Sequence, residues 1–492
     1  MYFVVVVAAV CCVTWFVWWR RNLSLPPGPI GLPIIGYLHK LGGKSLHFIM
    51  HDLSKKYGDV FCLKLGSRLT IILSSHEAIY EAYVKKAKLF AGRPDFASFI
   101  KTNHDAIGLS LCTFSQVYEN NRKGTMRAIH RLHSSTASYN ELLQKEAKKM
   151  LELFDNSINS HNAVDPLKAF KRIVPSAFLA MMFGRDFDYH NEEFLDIVEW
   201  FNNWFENAEA DNPPDFFPIL QNMPNKRLKI ISDCGLAFEK FALKKLKEFE
   251  NENGDTGLVY SFYNYFGKPS ELGRQEKLNL ARVVADLCGG GFDTVASTLA
   301  WAPLYLLNRP EVLRKCRQEI LSICKDGDVS VDKKDDLPYF SATLYDIIRH
   351  SSVGPLGLPR VTMDDLTFRS YKIPKNTMVF VNLWACNHDP SVWKEIDFVH
   401  PENFLTNDGA LDNTAVKKLS TFSSGVRRCP GEKLAFTKMF VLLGTLIQRY
   451  GFIMDKAPED LLPMRGVTLK PKPYTISMKR LHLKDILSKK DF

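Results

Sequence analysis

Ten residues, Phe422 to Gly431 (FSSGVRRCPG), carry the densest chemistry in this chain. A single cysteine, Cys429, stands just before a strongly apolar run, with glycines on both sides and Arg427 and Arg428 beside it. A thiol at a helix N-terminus near arginines is drawn towards thiolate, the form that a metal takes. Glycines allow tight turns and let a flat ligand approach the backbone. The plainer reading is a buried cysteine acting as a small hydrophobe. A second cluster, Gly289-Gly290-Gly291-Phe292-Asp293-Thr294, lies inside the apolar stretch 278–307. Each glycine costs a helix interior roughly 1 kcal/mol relative to alanine, so something should offset it. A ligand's close approach would do so, and an acid beside a hydroxyl can deliver protons; a kinked structural helix is the alternative. Asp346 and Arg349, three apart on a helix, face each other. Tyr118 and Arg122, four apart, are more often a solvated face than a ligand site.

Phe422, Gly425, Arg427, Cys429 and Gly431 fill the fixed positions of FxxGxRxCxG. The loop resembles the haem-binding loop of the cytochrome P-450 family, and the resemblance runs over essentially the whole chain. It implies haem b (iron protoporphyrin IX), with Cys429 as the axial thiolate of its iron and Arg427 beside a propionate. The 290–294 segment is similar to the family's distal helix, whose acid–alcohol pair relays protons, making Asp293 and Thr294 the catalytic candidates. Tyr118-Glu-Asn-Asn-Arg122 resembles the family's Trp-x-x-x-Arg, whose two residues hold a propionate. Arg360, after Pro359, matches a third propionate contact.

One family network departs from its pattern. A Glu-x-x-Arg pair bonded to an arginine in Pro-Glu-Arg-Phe is replaced by Asp346-Ile-Ile-Arg349 and Pro401-Glu402-Asn403-Phe404. An unpaired buried charge is costly, so shortening the acid and losing the second cation together is coherent. Asn403 is expected to reach the pair as a neutral partner, in a protein that folds and takes up haem.

The elements that must position these residues read as mainly α with small β-sheets, the cytochrome P-450 fold by resemblance, preceded by one N-terminal transmembrane helix. Strands are expected at 60–65 and 69–73, helices at 141–154, 192–204, 228–250, 278–307, 310–323, 337–349 and 432–450. An extended region at 366–380, turning at 372–375, and a terminal hairpin at 467–478 complete the expectation. By resemblance, substrate would meet 95–117, 201–222, 353–358 and 467–469. Phe96, Phe99, Phe114, Phe216 and Phe217 suit either a dry aromatic pocket or ordinary core.

Residues 1–19 contain no charge, end in tryptophans and precede Arg20-Arg21, as an uncleaved membrane anchor would. Residues 20–44 form a basic, proline-rich hinge, and 45–492 form one haem-binding monooxygenase domain, no linker dividing them. That topology leaves the sequon Asn22-Leu23-Ser24 cytosolic and unmodified. Hydrophobic residues at 46% and charged residues at 24% exclude a disordered chain, and ten scattered cysteines exclude a disulfide scaffold. CxxC, HExxH, Walker and dinucleotide-binding motifs are absent, so zinc and a built-in nicotinamide or flavin site are not expected.

The net charge is +10, and Lys417, Lys418, Arg428, Lys433 and Lys438 flank the cysteine loop. Such a face would steer an acidic electron donor, in the microsomal branch NADPH–haemoprotein reductase or cytochrome b5; anionic lipid and plain solvation compete. Residues 211–218 and 291–295 look like the animal branch with aryl-hydrocarbon and steroid hydroxylases. The resemblance implies a monooxygenase of the endoplasmic reticulum membrane acting on an apolar steroid, lipid or xenobiotic, with no nucleic-acid partner. An oxygen-independent isomerase and a non-catalytic haem-binding protein are the rival readings.

Overall fold

The computed structural model describes residues 24–40, 45–134, 136–160, 162–209 and 211–481, with residues 5–7, 10, 11 and 14. Most of the expected anchor, and residues 20–23 and 41–44 of the hinge, therefore lie outside the described residues. Among those described, no helix is long and apolar enough to cross a membrane.

Helices dominate: α1 (Leu46–Tyr57), α2 (Ala97–Asn103), α3 (Gln116–Ser134), α4 (Thr136–Asn159), α5 (Pro166–Phe183), α6 (Glu192–Asn207), α7 (Lys226–Asn251), α8 (Gly257–Phe266), α9 (Arg274–Leu307), α10 (Pro310–Cys324), α11 (Pro338–Ser351) and α12 (Glu432–Arg449). Their starts follow local chemistry. Asp165 accepts from Lys168 N and Pro166 begins α5; Asn225 accepts from Leu228 N at 3.0 Å; Glu276 reaches back to Gly273 N at 2.9 Å. Nearly every residue of α9 from Asn279 to Leu306 is buried, because a helix apolar all round belongs in a core. Buried apolar side chains form a continuous cluster from Leu109 to Ile476 around it.

The larger sheet has the order β1 (Val60–Leu65), β2 (Arg68–Leu73), β6 (Met378–Val381), β3 (Arg360–Val361). β1 and β2 are antiparallel with Val60 opposite Leu73, and β2 runs parallel to β6 with Thr70 opposite Met378. The two short strands β4 (Leu366–Phe368) and β5 (Tyr371–Ile373) turn at Arg369 and Ser370, Arg369 having φ 53°. The turn expected at 372–375 is thus displaced, since Lys372 and Ile373 are in strand. No hairpin forms within 467–478 either. β8 (Thr475–Arg480) pairs instead with β7 (Tyr450–Lys456), which directly follows α12. Helices α1, α2, α3, α5 and α8 had no counterpart in the sequence reading; α5 carries Pro175 inside it and α3 is strongly polar.

Candidate active site

The loop before α12 is shaped by one glycine. Gly425 has φ 73°, and a Cβ there would collide with the carbonyl oxygen of Tyr83. Tyr83 is 1% exposed, with its hydroxyl lacking a hydrogen-bond partner. Cys429 N donates to Phe422 O at 3.0 Å, closing the loop so that both Phe422 and Cys429 line a cavity of about 400 Å³. The cysteine's exposed surface opens into that cavity.

Burial pushes the Cys429 thiol up to about 11; the Gly431 N–H, Arg122 and Arg428 pull the other way and Glu432 pushes it further up. This reverses the expectation of a thiolate prepared by the helix end and the arginines. Arg428 is held bidentately by Glu432 at 2.6 and 2.7 Å, so its charge is largely answered, and desolvation prevails. The charge that would hold a thiolate here must come from a bound metal.

Five guanidiniums line the same cavity, and four of them, Arg93, Arg122, Arg360 and Arg427, lie close enough to influence one another. Arg427 donates to the carbonyls of Ala91 (3.0 Å), Leu109 (3.2 Å) and Cys112 (2.8 Å), stacked 3.7 Å from the Tyr118 ring. Tyr118 OH donates to Val426 O at 3.0 Å, and Arg122 Nη2 to Arg428 O at 2.7 Å. Arg360 lies 3.3 Å from the Tyr83 ring, and its buried Nη1 has no hydrogen-bond partner. Burial pulls Arg360 down to about 10, and Arg427 adds to the fall. Arg93, absent from the sequence reading, is depressed well below its ordinary value by burial, then by Arg427 and Arg360. No described carboxylate forms an ion pair with these four. Cations crowded in a dry cavity with an orphaned N–H and an orphaned phenol fit an anionic group such as a haem's propionates. The residues present therefore fit haem.

Across the cavity, α9 presents Gly290, where an added Cβ would meet nothing within 4 Å. Gly289 and Gly291 instead admit the rings of Phe201 and Phe178. The expected acid–alcohol pair is divided between two environments. Thr294 lines the cavity and its hydroxyl donates to Gly290 O at 2.5 Å. Asp293 is 4% exposed and does not line the cavity; it is ion-paired to Lys470 at 2.9 Å and accepts from the Thr468 hydroxyl. Thr468 in turn lines the cavity. Neither Thr468 nor Lys470 was marked individually in the sequence, because only the return of 464–470 over α9 gives them a partner.

Each of the four segments expected near substrate contributes lining, including Thr102, Phe201, Val353 and Thr468. The five phenylalanines do not. Phe96, Phe99 and Phe216 pack together in a separate core beside Phe217, and Phe114 tilts against Tyr118. The aromatic wall comes from Phe178, Phe201, Phe205 and Phe238. Lys438, expected on the surface, is 1% exposed, with Nζ lacking a hydrogen-bond partner and 4.7 Å from the Phe178 ring.

Away from the cavity, Asp346 and Arg349 are both 0% exposed and joined at 2.5 Å. Asp346 also accepts from His400 N at 2.6 Å and Asn403 Nδ2 at 3.3 Å. Arg349 donates to Asn387 O and Phe398 O. The neutral partner expected from Asn403 is present.

Residues 26–478 match the sequence family described as Cytochrome P450. The chain belongs to that family. It is 32% identical over 490 residues to cytochrome P450 1A2 of Oryctolagus cuniculus, covering 94% of each chain. Cytochrome P450 1A1 of Rattus norvegicus is 32% identical over 470 residues, 92% of this chain and 89% of that protein. The Homo sapiens 1A1 protein is 31% identical over 466 residues, 92% and 91% of the two chains. Cytochromes P450 bind haem through a cysteine thiolate, and membership makes this chain a monooxygenase of the oxidoreductase class, with a redox partner and an apolar substrate.

Proposed function

We propose that this cytochrome P450 inserts one oxygen atom into an apolar steroid, lipid or xenobiotic, with electrons from NADPH passed on by a reductase. The observation that carries the assignment of residues is the cavity that Cys429, four guanidiniums, Gly290 and Thr294 share. Cys429 would hold the iron, and Arg93, Arg122, Arg360, Arg427 and Tyr118 would hold or flank the propionates. When bound, haem supplies the redox chemistry that no side chain here can supply. Gly290 would leave room for the bound group, and the aromatic wall would help exclude water from that space. Thr294 holds a proton at Oγ1 beside the cavity, shared with Gly290 O. Asp293 connects to the cavity through the Thr468 hydroxyl, while Lys470 fixes its carboxylate.

The reading extends to attachment: 1–19 as an anchor in the endoplasmic reticulum membrane, 20–44 as a hinge and 45–492 as the cytosolic domain. Exposed Ile30, Leu32 and Ile34 support it. Gly66 N donates to Ile35 O and Ser67 N to Phe216 O, bringing that segment near exposed Ile219. Exposed Lys417, Lys418 and Lys433 support docking of an acidic donor; Arg428 is engaged by Glu432 and Lys438 is buried.

The reduced-minus-CO spectrum of recombinant protein tests the assignment. A thiolate-type Soret band is expected, absent from Cys429→Ala; the same band in that variant would refute it. NADPH-dependent oxygen uptake with a reductase, falling steeply with salt, is the expected sign of the basic face.

A further inference from the structure

Arg282 lies on α9 about two turns before Gly290, and nothing in the chemistry above uses it. It is 4% exposed and lines the same cavity. Its Nη1 donates to Thr102 O at 2.7 Å, while Nε is buried without a hydrogen-bond partner, 3.5 Å from Asp286 Oδ1. Asp286 is already engaged, its Oδ2 accepting from Leu109 N at 2.6 Å and Ser110 N at 2.9 Å. A guanidinium has five N–H donors; here one hydrogen bond, from Nη1, is made within the protein and the buried Nε makes none. The neighbouring wall offers little competition. The Trp204 indole N–H is taken by Thr102 Oγ1 at 2.9 Å, and Phe205 is apolar. Gly235 lets α7 close against Thr102, where a Cβ would stand 2.6 Å from the Thr102 carbonyl oxygen.

At this end of the cavity Asp286 and Thr102 also contribute polar groups, but Asp286 Oδ2 and Thr102 Oγ1 are already hydrogen-bonded, and the rest of the nearby wall is largely apolar. The eight residues from Arg282 to Gly290 span about 12 Å of helix, close to the length of a fused four-ring skeleton. We propose that Arg282 is a specificity-determining residue: its free N–H groups bind a neutral hydrogen-bond-accepting oxygen, a ketone or ester carbonyl, at one end of an apolar substrate whose other end lies beside Gly290 and Thr294. A carboxylate is disfavoured, because Asp286 stands against the same guanidinium. The inference rests on the monooxygenase reading for which end is oxidised, though not for the binding itself.

Equilibrium dialysis of androstanone and of its parent hydrocarbon, androstane, against the haem-loaded protein tests it. The ketone is expected to bind about tenfold tighter to the wild type, the worth of one hydrogen bond to a charged donor. Arg282→Met should erase that preference while leaving the hydrocarbon's affinity unchanged. A wild-type ratio near one, or a preference that survives in R282M, overturns the proposal. Should R282M fail to fold, R282K keeps a cation and a donor and is expected to retain part of the preference; its complete loss there counts against a simple donor role. Ketone preference in a protein lacking the thiolate-type CO band would instead strike the monooxygenase reading and leave this subsite standing.

Discussion

Two groups of buried charge in this chain look alike in sequence and differ in completeness. The Asp346–Arg349 pair is closed: carboxylate and guanidinium meet at 2.5 Å, and His400 N, Asn403, Asn387 O and Phe398 O answer the remaining donors and acceptors. The cavity wall is open: Arg93, Arg122, Arg360 and Arg427 gather without a carboxylate, and one Arg360 nitrogen and the Tyr83 hydroxyl have no partner. A closed network needs no ligand to be stable, whereas an open one is completed by something the polypeptide does not contain. Burial pulls Arg93, Arg360 and Arg427 down, and mutual repulsion adds to it at Arg93 and Arg360.

The largest break in this comparison is Asp346→Ala. Removing one partner of a buried pair leaves Arg349 uncompensated, at a cost of about 3–5 kcal/mol. A urea titration should show the loss, and wild-type stability in that variant would mean the knot is not structural. The same truncation on the open wall should act oppositely. Arg360→Leu relieves a desolvated cation, so the haem-free protein is expected to be no less stable, while haem retention weakens about tenfold or more, the worth of a charge-assisted hydrogen bond. Haem transfer to apomyoglobin measures this; unchanged retention would separate Arg360 from haem.

Lys438 sharpens the contrast, as a buried ammonium on the lining of the same cavity, beside Phe178 and near Glu146 and Cys288. Burial pulls its ammonium down to about 7 from an ordinary value of 10.5. Between those values the unfolded chain binds more protons than the folded one, so stability rises with pH there, by up to about 1.4 kcal/mol per unit. Lys438→Met should therefore be stabilising, most at pH 7 and below, with the advantage fading towards pH 10.5. A melting difference independent of pH would show that the ammonium is answered by another group. The smallest effect is expected at the rim of the knot. Asn403→Ala removes a 3.3 Å contact to Asp346 and two bonds to the Lys394 backbone, at about 1 kcal/mol, read by thermal melting.

Much of the site is legible in the sequence because its chemistry is local along the chain. Phe422 to Gly431 supplies the proposed ligand, the turn and the helix start within one loop, and Asp346 and Arg349 meet across one helical turn. The place of Thr294 on the cavity follows from its position after Gly290. Arg93, Thr468, Lys470 and Arg282 do not stand out as site residues, since each has meaning only against a distant segment: Arg93 against the carbonyls of Leu358 and Pro359, Lys470 against Asp293, Arg282 against Thr102. The aromatic wall stayed undecided in the sequence for a related reason. Phenylalanines at 96, 99 and 216 are equally apolar whether they face a cavity or each other.

Residue type at short separation was thus enough for the family, the loop around Cys429, seven of the twelve helices named above and the substitution of Asn403 for a cation. Folding alone settled that the thiol is raised rather than lowered, that Asp293 turns to Lys470 while Thr294 turns to the cavity, and that Lys438 is interior. Each of those outcomes depends on how much water the fold removes and which distant charge it brings near, and neither quantity is written in the spacing of residues along the chain.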